Sequence, residues 1–245
     1  MKQTLAGLAL GVLLAVSSAS HADTTVGTAE INITYIEGWS PENWDISLSS
    51  HTPQTVAVSL NTLNRDLQYW PAEDAGGAGT QAGNAHWSVL EVEVRDGYRV
   101  TGVAVHALAY GELSAGELPD QPAGSADNGA RLAWFVTAPG LSLPFSTQFT
   151  TFSGFQPFAN ATGPLDLDDT FRVSFDAAVW AQAVAATASD GSTASSAALA
   201  SIGSAVLLVQ VAPVPEPASW AMLLGGLAGL SVWQRRVSGR RNGGA

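Results

Sequence analysis

Apolar and polar residues alternate with a period of two along much of this chain. In Ile31-Asn-Ile33-Thr-Tyr35 the apolar side chains share one face and the polar ones the other, as in a half-buried strand. Ser88–Arg95 repeats the pattern, with Leu90, Val92 and Val94 opposite Glu91, Glu93 and Arg95. Asp96-Gly97 then supplies a turn signal and Arg99–Tyr110 resumes with β-branched residues, which predicts a hairpin. Further strands are predicted over Asp45–Leu48, Gln54–Leu60, Leu132–Thr137, Thr147–Phe152, Thr170–Val179 and Ser204–Val211. The spacers Glu73–Asn84, Pro119–Gly129 and Gly154–Gly163 carry the breakers Gly, Pro, Asp and Asn. Ala181–Ala200 is rich in Ala, Ser and Thr and reads as a mobile loop or a short helix. Strands between such loops, with no internal repeat, predict an all-β chain: an antiparallel β-sandwich of jelly-roll-like form. A boundary near Gly140 is an alternative, with one sandwich the better reading.

Both ends depart from the period of two. Residues 1–22 have Lys2, an apolar stretch Leu5–Val16 and the small residues of Ser20-His21-Ala22, as a secretory signal peptide cleaved after Ala22 would. That leaves an ectodomain over residues 23–213. At the other end, Val214-Pro215-Glu216-Pro217 precedes an uncharged apolar run, Ala218–Trp233. The two prolines fix φ and remove two donors, so this motif is extended and can be gripped by another protein. As a helix the run would be roughly 24 Å long, slightly short of a bilayer core of ~30 Å, with Trp220 and Trp233 near its ends. In residues 234–241, Arg235, Arg236, Arg240 and Arg241 follow, and the positive-inside rule places them in the cytoplasm.

Residues 214–241 resemble the PEP-CTERM sorting signal of Gram-negative bacteria. The matching residues are Val214–Leu224, Gly225–Leu230 and the arginines, although Val237-Ser-Gly239 splits the basic cluster. The resemblance implies that an exosortase-type membrane protease recognises the motif, removes the helix and passes the protein to the cell surface. It also implies a role in an extracellular matrix or biofilm, often alongside exopolysaccharide, and the leading reading is a non-enzymatic surface protein.

Charge narrows the partners. Lys2 and the four tail arginines are five of the ten basic residues, which leaves the ectodomain Arg65, Arg95, Arg99, Arg131 and Arg172 against twenty acids, a net charge of −15. Nucleic acid and anionic lipid are disfavoured, because phosphate contacts need Lys and Arg. With no cysteine, disulfides, thiolate catalysis and cysteine-ligated zinc are excluded.

Candidate chemistry is sparse. His51, His86 and His106 lie far apart, with no HExxH spacing and no GxSxG elbow. A triad assembled from distant residues remains open, so a surface hydrolase is one alternative. His106 reads as a strand residue. Glu91 and Glu93 share one strand face, roughly 7 Å apart, and read as solvated. Asp166, Asp168 and Asp169 offer oxygen ligands for Ca²⁺ but lack the Gly and the closing Glu of an EF-hand loop. Asp120, Asp127 and Asn128 form a second acidic loop. No other cofactor is indicated. Trp39, Trp44 and Trp70 lie outside strong apolar runs and could stack on sugar rings, which makes a carbohydrate-binding module the other alternative. Trp134 and Trp180 fall within strands and are expected in the core. Gly76–Gly79 with Gly83 reads as a flexible connection, since no Lys follows it to make a phosphate cradle.

Overall fold

The computed structural model describes residues 24–39 and 44–214, together with Met222 and Leu227. Apart from those two residues, the segments read as signal peptide, membrane helix and basic tail lie outside the described residues, as do Pro215, Glu216 and Pro217. Among the described residues no helix is long and apolar enough to cross a membrane.

The chain runs through β1 (Thr25–Gly27), β2 (Ile31–Gly38), β3 (Ser47–Thr52), β4 (Thr55–Ser59), α1 (Asn61–Asp66), β5 (Trp70–Asp74), β6 (Thr80–Val94) and β7 (Tyr98–Ser114). It continues through β8 (Ser125–Ala138), β9 (Leu141–Thr150), β10 (Gly154–Ala161), β11 (Phe171–Val184), β12 (Ala186–Thr187), β13 (Thr193–Ala194) and β14 (Ser196–Pro213). One sheet has the order β1-β2-β6-β11-β8-β9 and the other β10-β7-β14-β4-β3, with β5 also paired to β14. Neighbouring strands pair antiparallel throughout. Inward positions of both sheets form the core, including Ile31, Leu90, Trp134, Phe158, Phe171, Phe175 and Leu207. This is the antiparallel sandwich that alternation demands, with one face of each sheet turned inward.

The predicted hairpin at Asp96-Gly97 does not form. β6 pairs with β2 and β11 in the first sheet, whereas β7 pairs with β10 and β14 in the second. The turn instead carries the chain from one sheet to the other. Alternation reports only that a strand has a buried face, and a turn signal does not say whether the next strand lies beside it or across the core. Gly140 is no boundary: Pro139 and Gly140 (φ 76°) form the turn of the β8–β9 hairpin, in which Ala138 opposes Leu141.

Four segments read as spacers, loop or helix carry strand residues; in Pro119–Gly129 these are the start of β8, from Ser125. β10 occupies Gly154–Ala161, with Pro157 opposite Leu108; β10 is an edge strand, where a missing donor is tolerated. Ala181–Ala200 is neither loop nor helix as a whole. It contributes the end of β11, the small β12–β13 hairpin and the start of β14. There Ala72, Ala181, Ala183 and Ala198 form a second small core in which alanine lets the sheets approach. Part of Glu73–Asn84 is also strand, and its glycines are held. The Asp74 carboxylate accepts the N–H groups of Gly76 (3.0 Å), Gly77 (3.2 Å), Gly79 (3.0 Å) and Ala185 (2.9 Å). Gly77 and Gly79 have φ of 79° and 82°, a region where a side chain is strained.

Candidate functional site

β14 is the hinge of the second sheet's geometry. Along one edge it pairs first with β5, over Ser196–Ala200, and then with β4, over Val206–Gln210. α1 fills the gap between them. Opposite α1 the register of β14 shifts between Gly203 and Val206, with Ser204 at φ 54°. The Asn64 side chain clamps this bulge: its Oδ1 accepts the Ala205 N–H at 2.6 Å and its Nδ2 donates to the Ala205 carbonyl at 3.4 Å. The Ile202 N–H bonds to the Leu67 carbonyl at 3.0 Å.

That interruption accompanies two neighbouring clefts on the outward face, of about 420 and 410 Å³. Both are floored by β7 and β14. Glu112 and Leu199 oppose one another in the first, and Tyr110 and Ser201 in the second. Their walls carry aromatic rings that did not go inward. Tyr69 is 65% exposed and Phe155 67% exposed. Phe155 opposes Tyr110 across β10 and β7, with ring centroids 4.8 Å apart. Tyr110 donates its hydroxyl to Glu112, and this bond chiefly raises the phenol's pKa. Tyr69 has φ 62° at the joint between α1 and β5. For a bulky residue that conformation costs roughly 1–2 kcal/mol. Asp120, Thr151 and Ser204 are the other described residues besides glycine with positive φ.

The tryptophans singled out from sequence differ in exposure. Trp44 stacks on Tyr35 (4.8 Å, 20°), and Trp70 donates its indole N–H to the Asp66 carbonyl at 3.0 Å. Both are half-buried against the core. Trp39 is exposed, and its main-chain N–H bonds the Trp87 carbonyl. Trp134 is fully buried and stacks on Phe145 at 4.2 Å. Trp180 is not in the core. It occupies an outward position of β11, half-buried, lying across Gly129, where any side chain would collide with its ring.

Asp166 pairs with Arg99 at 3.1 Å, and Asp169 accepts the Thr170 N–H at 2.7 Å. Among the described residues no group of three or more His, Asp or Glu is arranged to hold a metal, Asp166, Asp168 and Asp169 included. Asn128 belongs to strand β8 and is buried, not part of an acidic loop. Glu91 pairs with Arg172 at 3.3 Å, and Glu93 accepts from Asn32 at 2.9 Å.

One constellation the sequence did not indicate is a buried relay. The His86 Nδ1 lies 2.9 Å from Asp66 Oδ2, and its Nε2 lies 3.0 Å from Ser88 Oγ. A carboxylate only accepts, so Nδ1 donates and Nε2 accepts from the serine hydroxyl. These are the bonds of a Ser-His-Asp triad. His86 and Ser88 are each 3% exposed, however, so the relay lies within the fold and not at an open surface. Burial lowers the His86 pKa, and the bond to Asp66 opposes that shift only partly. His86 and Ser88 are two apart on one strand and so share a face, but nothing in the spacing pointed to Asp66.

β14 ends at Pro213, where the Val214 N–H donates to the Gly97 carbonyl at 2.8 Å. The sandwich thus passes directly into a sorting signal: residues 213–236 match the model of the PEP-CTERM protein-sorting motif. That motif implies export, processing by an exosortase and a surface or extracellular destination. No curated protein matches the chain. Among solved structures, TmCBM61 in complex with beta-1,4-galactotriose is similar at 13% identity, covering 58% of this chain and 85% of that one, with a TM-score of 0.26.

Proposed function

We propose that this chain is a non-enzymatic component of an extracellular matrix or biofilm, delivered to the cell surface by its C-terminal motif. On this reading, residues 1–22 direct export and residues 23–213 are the working sandwich. The apolar run 218–233 holds the chain in the membrane until an exosortase-type protease reads Val214–Pro217. Exopolysaccharide is its matrix partner. The observation that carries the reading is the sorting motif starting where β14 stops, which leaves the motif joined to a folded strand. The closed state of the Ser88–His86–Asp66 relay supports a non-enzymatic role.

The test is fractionation of the native host expressing the chain and its Glu216→Ala variant. The parent should reach the surface or medium without its C-terminal segment, and the variant should accumulate in the membrane. Normal release of the variant, or a cytoplasmic parent, would overturn the assignment.

A further inference from the structure

We propose that the outward face of the second sheet, between Tyr69 and Phe155, binds a chain of neutral polysaccharide. The proposal rests on the matrix reading above and names the ligand class and the residues for it.

Shape comes first. From β10 across β7 and β14 to β5 is three strand spacings, about 14 Å, so the two clefts together are longer than one sugar ring. Tyr69 stands toward the β5 side and Phe155 on β10 at the other, with Tyr110 between them. Aromatic faces hold the C–H faces of sugar rings, and exposed rings with nearby polar groups are the usual furniture of such a site. Two aromatic residues about two-thirds exposed on one face are hard to explain by folding, because each gives up the free energy of burial.

Polarity selects among partners. Glu73 and Glu112 line the first cleft, and Asn64, Gln68 and Ser201 the second. These groups accept from, and donate to, hydroxyls. Among the described residues no Lys or Arg lines either cleft. An anionic polymer would meet two carboxylates and a strongly acidic domain without a counter-charge, so a neutral chain is favoured. An extended peptide fits less well. Peptides add to a sheet through free edge groups, and here β7 and β14 already pair on both sides.

The full chain, purified in detergent, is mixed with insoluble cellulose, β-galactan and starch granules. Alginate beads and polylysine beads are the charged controls. Retention on at least one neutral polymer is expected, with affinity falling tenfold or more in Phe155→Ala and in Tyr69→Ala. Trp39→Ala should leave it unchanged. Both target residues are exposed, and an unchanged circular dichroism spectrum and melting temperature will show that the variants fold. Failure to bind any neutral polymer overturns the proposal, as does binding insensitive to both substitutions or confined to alginate or polylysine. Fractionation of the host tests surface delivery separately, so the two ideas fail independently.

Discussion

The side-chain amide of Asn128, on the first sheet, donates to the main-chain carbonyl of Leu199, on the second, at 2.7 Å. The same amide donates to the Phe152 carbonyl at 2.9 Å, and its oxygen accepts the Phe152 N–H at 2.9 Å. Asn128 is fully buried, so one side chain pins both sheets and the β9–β10 crossover behind the cleft floor. Asn128→Ala strands these backbone groups away from water. Unfolding in urea should show a loss of about 3 kcal/mol with the m-value unchanged.

His86 governs the first acid response. Burial chiefly lowers its pKa from the ordinary 6.5. The unfolded chain therefore takes up a proton before the folded one does. The resulting stability is fully present above pH 6.5 and is lost as pH falls from there toward the lowered value. Melting temperatures should hold level above that pH and decline below it. In His86→Gln, melting starts lower and the decline just below pH 6.5 disappears.

Asp74 governs a second, more acidic response. The Ala185 N–H is the largest cause of its lowered pKa, followed by that of Gly76, with Gly79 and Gly77 adding to them. Its stabilising effect is present above the ordinary 3.8 and is lost as pH falls through the lower folded value. Asp74→Asn removes one of the two accepting oxygens. Hydrogen exchange should then quicken at Gly79 and Ala185, with Leu207 in the core still protected.

Ser88 separates the two readings of the buried relay. A fluorophosphonate probe should not label the folded protein, and Ser88→Ala should cost about 1 kcal/mol of stability. Labelling that disappears in Ser88→Ala would mean an accessible nucleophile and would sink the non-enzymatic reading.

Much of the sandwich was legible in sequence because period-two burial is local. Ile31–Tyr35 and Leu132–Thr137 fall within strands, and Thr170–Val179 does so from Phe171 onward. Partnership was not legible. Nothing local told that the strands flanking Asp96-Gly97 join opposite sheets, or that Pro157 marks an edge strand. The site was less visible still. Tryptophan drew attention to Trp39, which is exposed, and to Trp44 and Trp70, which pack half-buried against the core, while the exposed rings at the two clefts are Tyr69 and Phe155. Phe155 lies between glycine and a polar residue in a segment read as a spacer, and Tyr69 is exposed through a backbone angle that no composition reveals. The sorting motif was fully legible, since it is contiguous and its order is its function.

β14 also sets how the protein bears load. One strand floors the proposed groove at Ser201 and leaves the sandwich at Pro213, roughly 40 Å further along. It is an interior strand, bonded to β7 on one side and to β5 and β4 on the other. Tension between a captured polymer and an anchored C-terminus would run along this strand, perpendicular to its hydrogen bonds. The ladders would then be sheared together instead of being peeled open one rung at a time. Pulled in that direction, the domain should resist far more force than when pulled apart across its edge strands.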